Sequence, residues 1–308
     1  MQRDIDFAEV ADALGLSAPA FAEKDYFVVQ ALKTISQVQS EPFEIIFAGG
    51  TCLTKAHEIT NRMSEDVDLK VLSNDGSMSR NGLKKALRNL RKNLITQLKE
   101  TGFELTDSRV HSEGKFFELE LDYKSNHQNE IQLRPHILIE VAYRAPKIQP
   151  IMMPIRSFAA EALGEPPEAN IQCVTVEETA SEKLVALLWR VFAKSVGEGP
   201  DYNAEDERLV RHVYDLYMID THVNRNTVVE LAREVVGQDA KERAVQSPKF
   251  ASDPESAMRL AANVLKNDKR YMDQYEELMN AMVYGAEPPT YENAINVVAG
   301  YAHDPWGN

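Results

Sequence analysis

Two carboxylates stand two residues apart in Arg62-Met63-Ser64-Glu65-Asp66-Val67-Asp68-Leu69-Lys70, and their spacing suits chemistry. On a β-strand, residues i and i+2 point to the same face, with α-carbons roughly 6–7 Å apart. Asp66 and Asp68 would then converge on one cation while Val67 points into the core. Two hard oxygen ligands, with other positions left for phosphate oxygens, suit Mg²⁺. A two-metal version would activate a hydroxyl and stabilise a leaving pyrophosphate. An Asp-x-Asp pair also occurs on solvated strand edges. Asp is disfavoured within strands, however, so a second Asp entering a β-run needs a reason.

Upstream, Phe47-Ala48-Gly49-Gly50-Thr51-Cys52 reads as strand, double glycine, then helix. Glycine lets the backbone approach a ligand closely, and the helix start offers unpaired amides suited to phosphate. Alone, Gly49, Gly50 and Thr51 describe a tight turn as well as a phosphate loop. Paired with the downstream acids, they read as a nucleotide site. Arg62 and Ser64 flank the acids. Arg62 could bind a phosphate or brace the carboxylates, and Ser64 could ligate through its hydroxyl or form the turn.

These residues need a scaffold, and the periodicity supplies one. Residues 24–38 carry apolar side chains at helical spacing. Residues 43–48 form a short β-rich run, residues 51–60 a helix, and Val67 to Leu72 a second strand. Asn81 to Glu100 reads as a long basic helix, with Lys84, Lys85, Arg88, Arg91 and Lys92 largely on one side. That face is either solvated or a phosphate-backbone contact. Phe116 to Tyr123 alternates as a half-buried strand, and Ile137 to Tyr143 is another, interrupted by Glu140. Breaks at 149–154 and at Pro166-Pro167 precede a mostly helical pattern at 176–194, 205–222, 225–237, 254–283 and 290–301. Polar connections are expected at 196–206 and 239–254. The pattern predicts an α/β core over 1–150 and an all-α domain over 151–308.

Composition narrows the function classes. The 308 residues include 44% hydrophobic and 27% charged, enough for a buried core with an ordinary soluble surface. No apolar run is long enough to span a bilayer, and the acidic N-terminus lacks the apolar core of a signal peptide. The two cysteines, Cys52 and Cys173, are no disulfide framework, which points to a reducing compartment and hence the cytoplasm. The net charge of −14 repels nucleic acid globally, so a nucleic-acid substrate would need a local basic patch. Seven histidines are scattered, with no zinc spacing against cysteine.

The Gly-Gly, spacer and Asp-x-Asp arrangement resembles the polymerase-β-type nucleotidyltransferase superfamily. Phe-Ala-Gly-Gly-Thr-Cys-Leu-Thr-Lys-Ala at 47–56 and Arg-Met-Ser-Glu-Asp-Val-Asp-Leu at 62–69 resemble more narrowly the AbiEii/MenT nucleotidyltransferase toxins. Glu23-Lys24-Asp25-Tyr26, the helix Thr175 to Arg190, and Arg211-His212-Val213-Tyr214-Asp215-Leu216 resemble further blocks of that family, so the likeness covers about residues 20–220. It departs at His212, where the family often has an acid.

The resemblance implies a nucleotidyltransferase core of mixed sheet, with an all-α C-terminal domain closing the cleft. It places Lys183 and Asp215 beside Asp66 and Asp68 as active-site residues, with Lys183 neutralising triphosphate charge and Asp215 holding the lysine or orienting the acceptor. It also implies a third carboxylate on a later strand. Glu140 is best placed, with Glu118, Glu120 and Asp122 competing. The expected cofactor is Mg²⁺ or Mn²⁺ and the substrate a nucleoside triphosphate. The implied acceptor is RNA, such as the 3′ end of tRNA, in a toxin–antitoxin or phage-defence system with a cognate antitoxin. Two other classes stay open: transfer to a protein or small molecule, and a catalytically silent nucleotide-binding defence protein.

Overall fold

The computed structural model describes residues 5–73, 78–127, 133–199, 209–285 and 287–303. In chain order its elements are α1 (Phe7–Leu14), α2 (Pro19–Ser36), β1 (Phe43–Ala48), α3 (Gly49–Lys55), β2 (Asp66–Ser73), α4 (Arg80–Glu100), β3 (Glu104–His111), β4 (Phe116–Asp122), β5 (Ile137–Tyr143), β6 (Ile151–Ile155), α5 (Phe158–Ala162) and β7 (Ala169–Cys173). Seven helices follow: α6 (Val176–Val196), α7 (Arg211–Ile219), α8 (Arg225–Glu242), α9 (Pro248–Ser252), α10 (Pro254–Asn267), α11 (Lys269–Met282) and α12 (Tyr291–His303). The chain divides into two compact units, Met1–Thr175 and Val176–Asn308.

The first unit is built on a mixed sheet in the order β3-β4-β5-β2-β1-β7-β6. β2 runs parallel to β5 and β1 parallel to β7, while the other neighbours are antiparallel. Strand alternation sorts the two faces. Val67, Leu69 and Val71 of β2, Phe117, Leu119 and Leu121 of β4, and Ile137, Ile139 and Val141 of β5 are all buried in one core. α4 joins that core through Leu87, Leu90, Leu94 and Leu98, whose three- and four-residue spacing makes one apolar stripe. Ser79 caps its start by accepting from the Gly82 amide at 3.2 Å. The opposite face of the sheet carries Asp66, Asp68, Glu118 and Glu140, so the chemistry-bearing acids are excluded from the core by the same alternation that builds it.

The sheet is larger than the sequence pattern predicts. β6 and β7 pair with each other, and β7 joins β1, so residues 151–173 belong to the sheet and the helical unit begins at Val176 rather than 151. Both strands are five residues long, β6 exposes most of its residues, and Pro154 sits within it. β3 is likewise an edge strand with mostly exposed side chains, the situation in which an alternation signal is weakest.

In the second unit α6 packs against α7, α8, α9 and α10, burying Leu184, Leu187, Leu188 and Val191. The single helix expected over 254–283 is two. Asp268 leaves helical geometry and accepts from the Arg270 amide at 3.0 Å, capping α11. The expected connection at 239–254 is partly helix, because α8 continues to Glu242 and Pro248 starts α9. The helix expected over 205–222 is α7 followed by one 3₁₀ turn at Asp220–His222, and 205–208 lie outside the described residues. Among the described residues no helix is long and apolar enough to cross a membrane. Cys52 and Cys173 are free, buried thiols.

Candidate active site

The double glycine is dictated by what approaches it. Gly49 has φ +75°, and a Cβ there would lie 1.8 Å from Asp68 Oδ2. Only a residue without Cβ permits both that backbone conformation and that carboxylate. A Cβ on Gly50 would lie 2.5 Å from Arg62 Nη2 and 3.3 Å from Ser64 Oγ. Arg62 is 3% exposed and donates from Nη1 to the Met63 carbonyl at 3.1 Å, so its guanidinium props the turn. The Thr51 hydroxyl hydrogen-bonds to the Asp66 carbonyl and lies 2.8 Å from Ser64 Oγ. These bonds tie the start of α3 to the start of β2.

Strand register then gathers the acids. Asp68 is opposite Ala48 on β1 and opposite Glu140 on β5, and Glu140 is opposite Glu118 on β4. Burial, then repulsion from and hydrogen bonding with Asp68, then repulsion from Asp66 and Glu118, push the Glu140 carboxyl up to about 8. The two carboxyls, hydrogen-bonded and crowded, hold a proton as a pair more firmly than an ordinary carboxylate does. Glu118 and Glu120 also face Arg109, at 3.6 and 2.7 Å, which offsets part of their charge. Asp66, Asp68 and Glu140 together are a donor set of hard oxygens, which fits Mg²⁺ or Mn²⁺. Among the described residues no three His, Cys, Asp or Glu side chains form a ready-made metal cage. Asp66 Oδ1 is instead held by Arg134 Nη1 at 2.7 Å.

A charged stretch of α2 fixes the neighbourhood. Glu23 accepts from the Asn126 and His127 amides at 2.8 and 3.1 Å, and from the Ser125 hydroxyl. Lys24 Nζ donates to the Arg134 and His136 carbonyls at 2.9 and 2.5 Å. Asp25 pairs with Lys55 at the end of α3 and accepts from the Phe158 amide at 2.7 Å. Lys55 Nζ also lies 3.6 Å from the centre of the Phe158 ring. All three acids and bases of this stretch are buried, and burial raises the Asp25 carboxyl even beside Lys55.

In the second unit Lys183 Nζ pairs with Asp215 Oδ2 at 2.8 Å and lies 3.5 Å from His212 Nδ1. Asp215 is fully buried, and its carboxylate fixes the Lys183 ammonium. Burial, then the Lys183, Arg211 and Arg190 charges, hold His212 well below 6.5, against a smaller opposing effect from Asp215. A depressed folded-state pKa contributes stability that is present above the unfolded value and lost as pH falls through 6.5 and below. The melting temperature should therefore fall between pH 6.5 and 5, and His212→Gln should flatten that fall. Equal slopes for the two proteins in thermal melts would contradict this.

The basic residues of α4 separate into two groups. Lys84, Arg88 and Arg91 line an open pocket of about 360 Å³ with Val110, His111 and Phe117. Lys85 and Lys92 are exposed on the flank beside it. Phe117 and Val110 belong to the sheet face opposite the acids, so this pocket lies behind the carboxylates rather than over them.

The profile of the family described as "Nucleotidyl transferase AbiEii toxin, Type IV TA system" matches residues 30–297. The chain belongs to the AbiEii family. Among solved structures it is similar to MenT4, a nucleotidyltransferase toxin from Mycobacterium tuberculosis H37Rv, at 19% identity and TM-score 0.52, covering 78% of this chain and 73% of that one. That likeness shows a shared fold. An antigenic nucleotidyltransferase-like protein from Paracoccidioides brasiliensis is 13% identical with TM-score 0.36, covering 77% of this chain and 93% of that one. No curated protein sequence matches it significantly.

Membership of the AbiEii family makes the chain a toxin-type nucleotidyltransferase, with a nucleoside triphosphate as substrate and a cognate antitoxin. Within its first unit this AbiEii chain brings together Gly49, Gly50, Thr51, Arg62, Ser64, Asp66, Asp68 and Glu140. Within its second it joins Lys183 to Asp215. Arg134 was not found from sequence, and Lys24 and Glu65 stood only inside blocks that resemble the family, with no role assigned. A physical signal for Lys24 was Glu23-Lys24-Asp25, three consecutive charges in a helix rich in apolar residues.

Proposed function

We propose that this protein transfers a nucleoside monophosphate from a nucleoside triphosphate to an RNA acceptor, the 3′ end of tRNA being the first to test, and thereby inhibits growth. The observation that carries the reading is Asp68 Oδ2 lying where a Cβ on Gly49 would be, in register with Glu140. The triphosphate rests on the Gly49-Gly50-Thr51 turn, with Ser64 beside it and Arg62 bracing it. A divalent cation on Asp66, Asp68 and Glu140 would neutralise the phosphates and favour loss of pyrophosphate. Burial and the neighbouring acids raise the Glu140 carboxyl, and a cation's charge would relieve that crowding. In the second unit Asp215 holds Lys183, a point charge of the kind that suits a phosphate.

An RNA acceptor also needs a phosphate contact on an acidic protein, and Lys84, Arg88 and Arg91 offer it. Because their pocket lies on the far sheet face, only an acceptor long enough to pass round the β3 edge uses both. Arg88→Glu with Arg91→Glu should weaken RNA binding and flatten its salt dependence while leaving nucleotide binding unchanged. If binding and slope are both unaltered, the RNA lies elsewhere. The net charge of −14 favours a second reading, transfer to a protein or small molecule in the cytoplasm. Incubating pure protein with Mg²⁺, total tRNA and each α-labelled nucleoside triphosphate separates them. Label on RNA names the base and the acceptor class. A folded protein that binds nucleotide but never labels RNA moves the acceptor to protein or metabolite, and one that binds no nucleotide removes the activity.

A further inference from the structure

Arg134 is held with more machinery than a surface arginine needs. Its amide donates to Glu65 Oε2 at 2.6 Å, and its carbonyl accepts from Lys24 Nζ at 2.9 Å. Lys24 is 0% exposed and spends a second bond on the His136 carbonyl. Glu23, the preceding residue on α2, takes the amides of 126 and 127. Burying an ammonium and two carboxylates is costly unless each is fully hydrogen-bonded. Here three such groups are devoted to placing residues 125–127 and 134–136, and Glu65 adjoins Asp66 itself. The backbone of Arg134 is thus pinned on both sides while its side chain stays 34% exposed. The guanidinium rests on Asp66 Oδ1 at 2.7 Å.

We propose that Arg134 is a built-in counter-cation for Asp66, which a divalent cation must displace, and which then binds the phosphates of the arriving nucleotide. The proposal rests on the reading of Asp66 and Asp68 as cation ligands. A carboxylate oxygen held by a guanidinium cannot at the same time serve a metal fully. The guanidinium keeps five donors in a fixed fork that matches phosphate geometry. Released from Asp66, it has only side-chain torsions to change, because Lys24 and Glu65 keep its α-carbon in place. The exchange couples cation and nucleotide binding: the cation frees the arginine, and the nucleotide gives it a new partner.

The test compares wild type, Arg134→Gln, Arg134→Lys and Asp68→Asn, titrated with Mn²⁺ alone and followed by its paramagnetic resonance signal. Nucleotide affinity is then measured at saturating Mn²⁺. Arg134→Gln should bind Mn²⁺ roughly fivefold tighter (~1 kcal/mol) than wild type and bind nucleotide at least about fivefold weaker. Arg134→Lys, which keeps the charge, should stay near wild type for Mn²⁺. Opposite signs for the two ligands are the signature, since a loop that had merely loosened would weaken both. Mn²⁺ binding that depends on Asp68 but is unchanged or weaker in Arg134→Gln would overturn the exchange while leaving the cation site standing. Absence of Asp68-dependent Mn²⁺ binding in every protein would instead overturn the ligand assignment and the exchange with it.

Discussion

Asp68→Asn should lower nucleotide transfer by about a thousandfold or more and leave the protein folded. The magnitude corresponds to losing a few kcal/mol of charge stabilisation at 1.36 kcal/mol per decade of rate. Preserved folding follows from the local electrostatics. Asp68 is the main repulsive neighbour of Glu140, whose carboxyl is pushed up to about 8 by burial first and by Asp68 next. Removing one negative charge relieves that crowding, so the melting temperature should be unchanged or higher. The Glu140 carboxyl should also titrate closer to its ordinary range. Steady-state transfer assays and thermal melts on the same preparations check both halves. A variant retaining more than a tenth of wild-type turnover would show that Asp68 does not serve the reaction.

The second large effect is steric. Gly49→Ala places a methyl 1.8 Å from Asp68 Oδ2 and forces an L-residue to φ +75°. The left-handed conformation alone costs roughly 1–2 kcal/mol, and the clash is relieved only when Asp68 swings from its position opposite Glu140. Activity should fall at least about a hundredfold, with a melting temperature several degrees lower. Gly50→Ala is the internal comparison. Its Cβ meets Arg62 Nη2 at 2.5 Å, the far end of a flexible side chain, and no positive φ is involved. Its loss should be clearly smaller. Equal losses at the two positions would mean that the turn, rather than the placement of Asp68, is what both substitutions disturb.

What could be read from sequence follows from the range of the interactions. Gly49-Gly50 and Asp66-x-Asp68 are local patterns, and strand alternation alone sends Val67 inward and the acids outward. Glu140 was legible because a charge interrupted an apolar run, and the structure aligns it with Asp68. Glu118 and Glu120 competed on sequence and pair with Arg109, whose position on an exposed edge strand left no periodic trace. Arg134 meets Asp66 across 68 residues and Lys24 across 110, and no spacing rule reaches that far. β6 and β7 were missed because each is only five residues long and Pro150 and Pro154 read as a break, which moved the expected boundary to 150. The split at Asp268 was missed because helical periodicity continues through it, while a capping side chain breaks the backbone.

The central claim is nucleotidyl rather than phosphoryl transfer at the Asp66, Asp68 and Glu140 cluster. The most direct measurement gives the protein one nucleoside triphosphate labelled at the α-phosphate in one reaction and at the γ-phosphate in another, with the same acceptor and with Asp68→Asn as control. The account predicts α-label on the acceptor and γ-label in pyrophosphate, both absent with the variant. γ-Label on the acceptor, or α-label transferred equally well by Asp68→Asn, would contradict it.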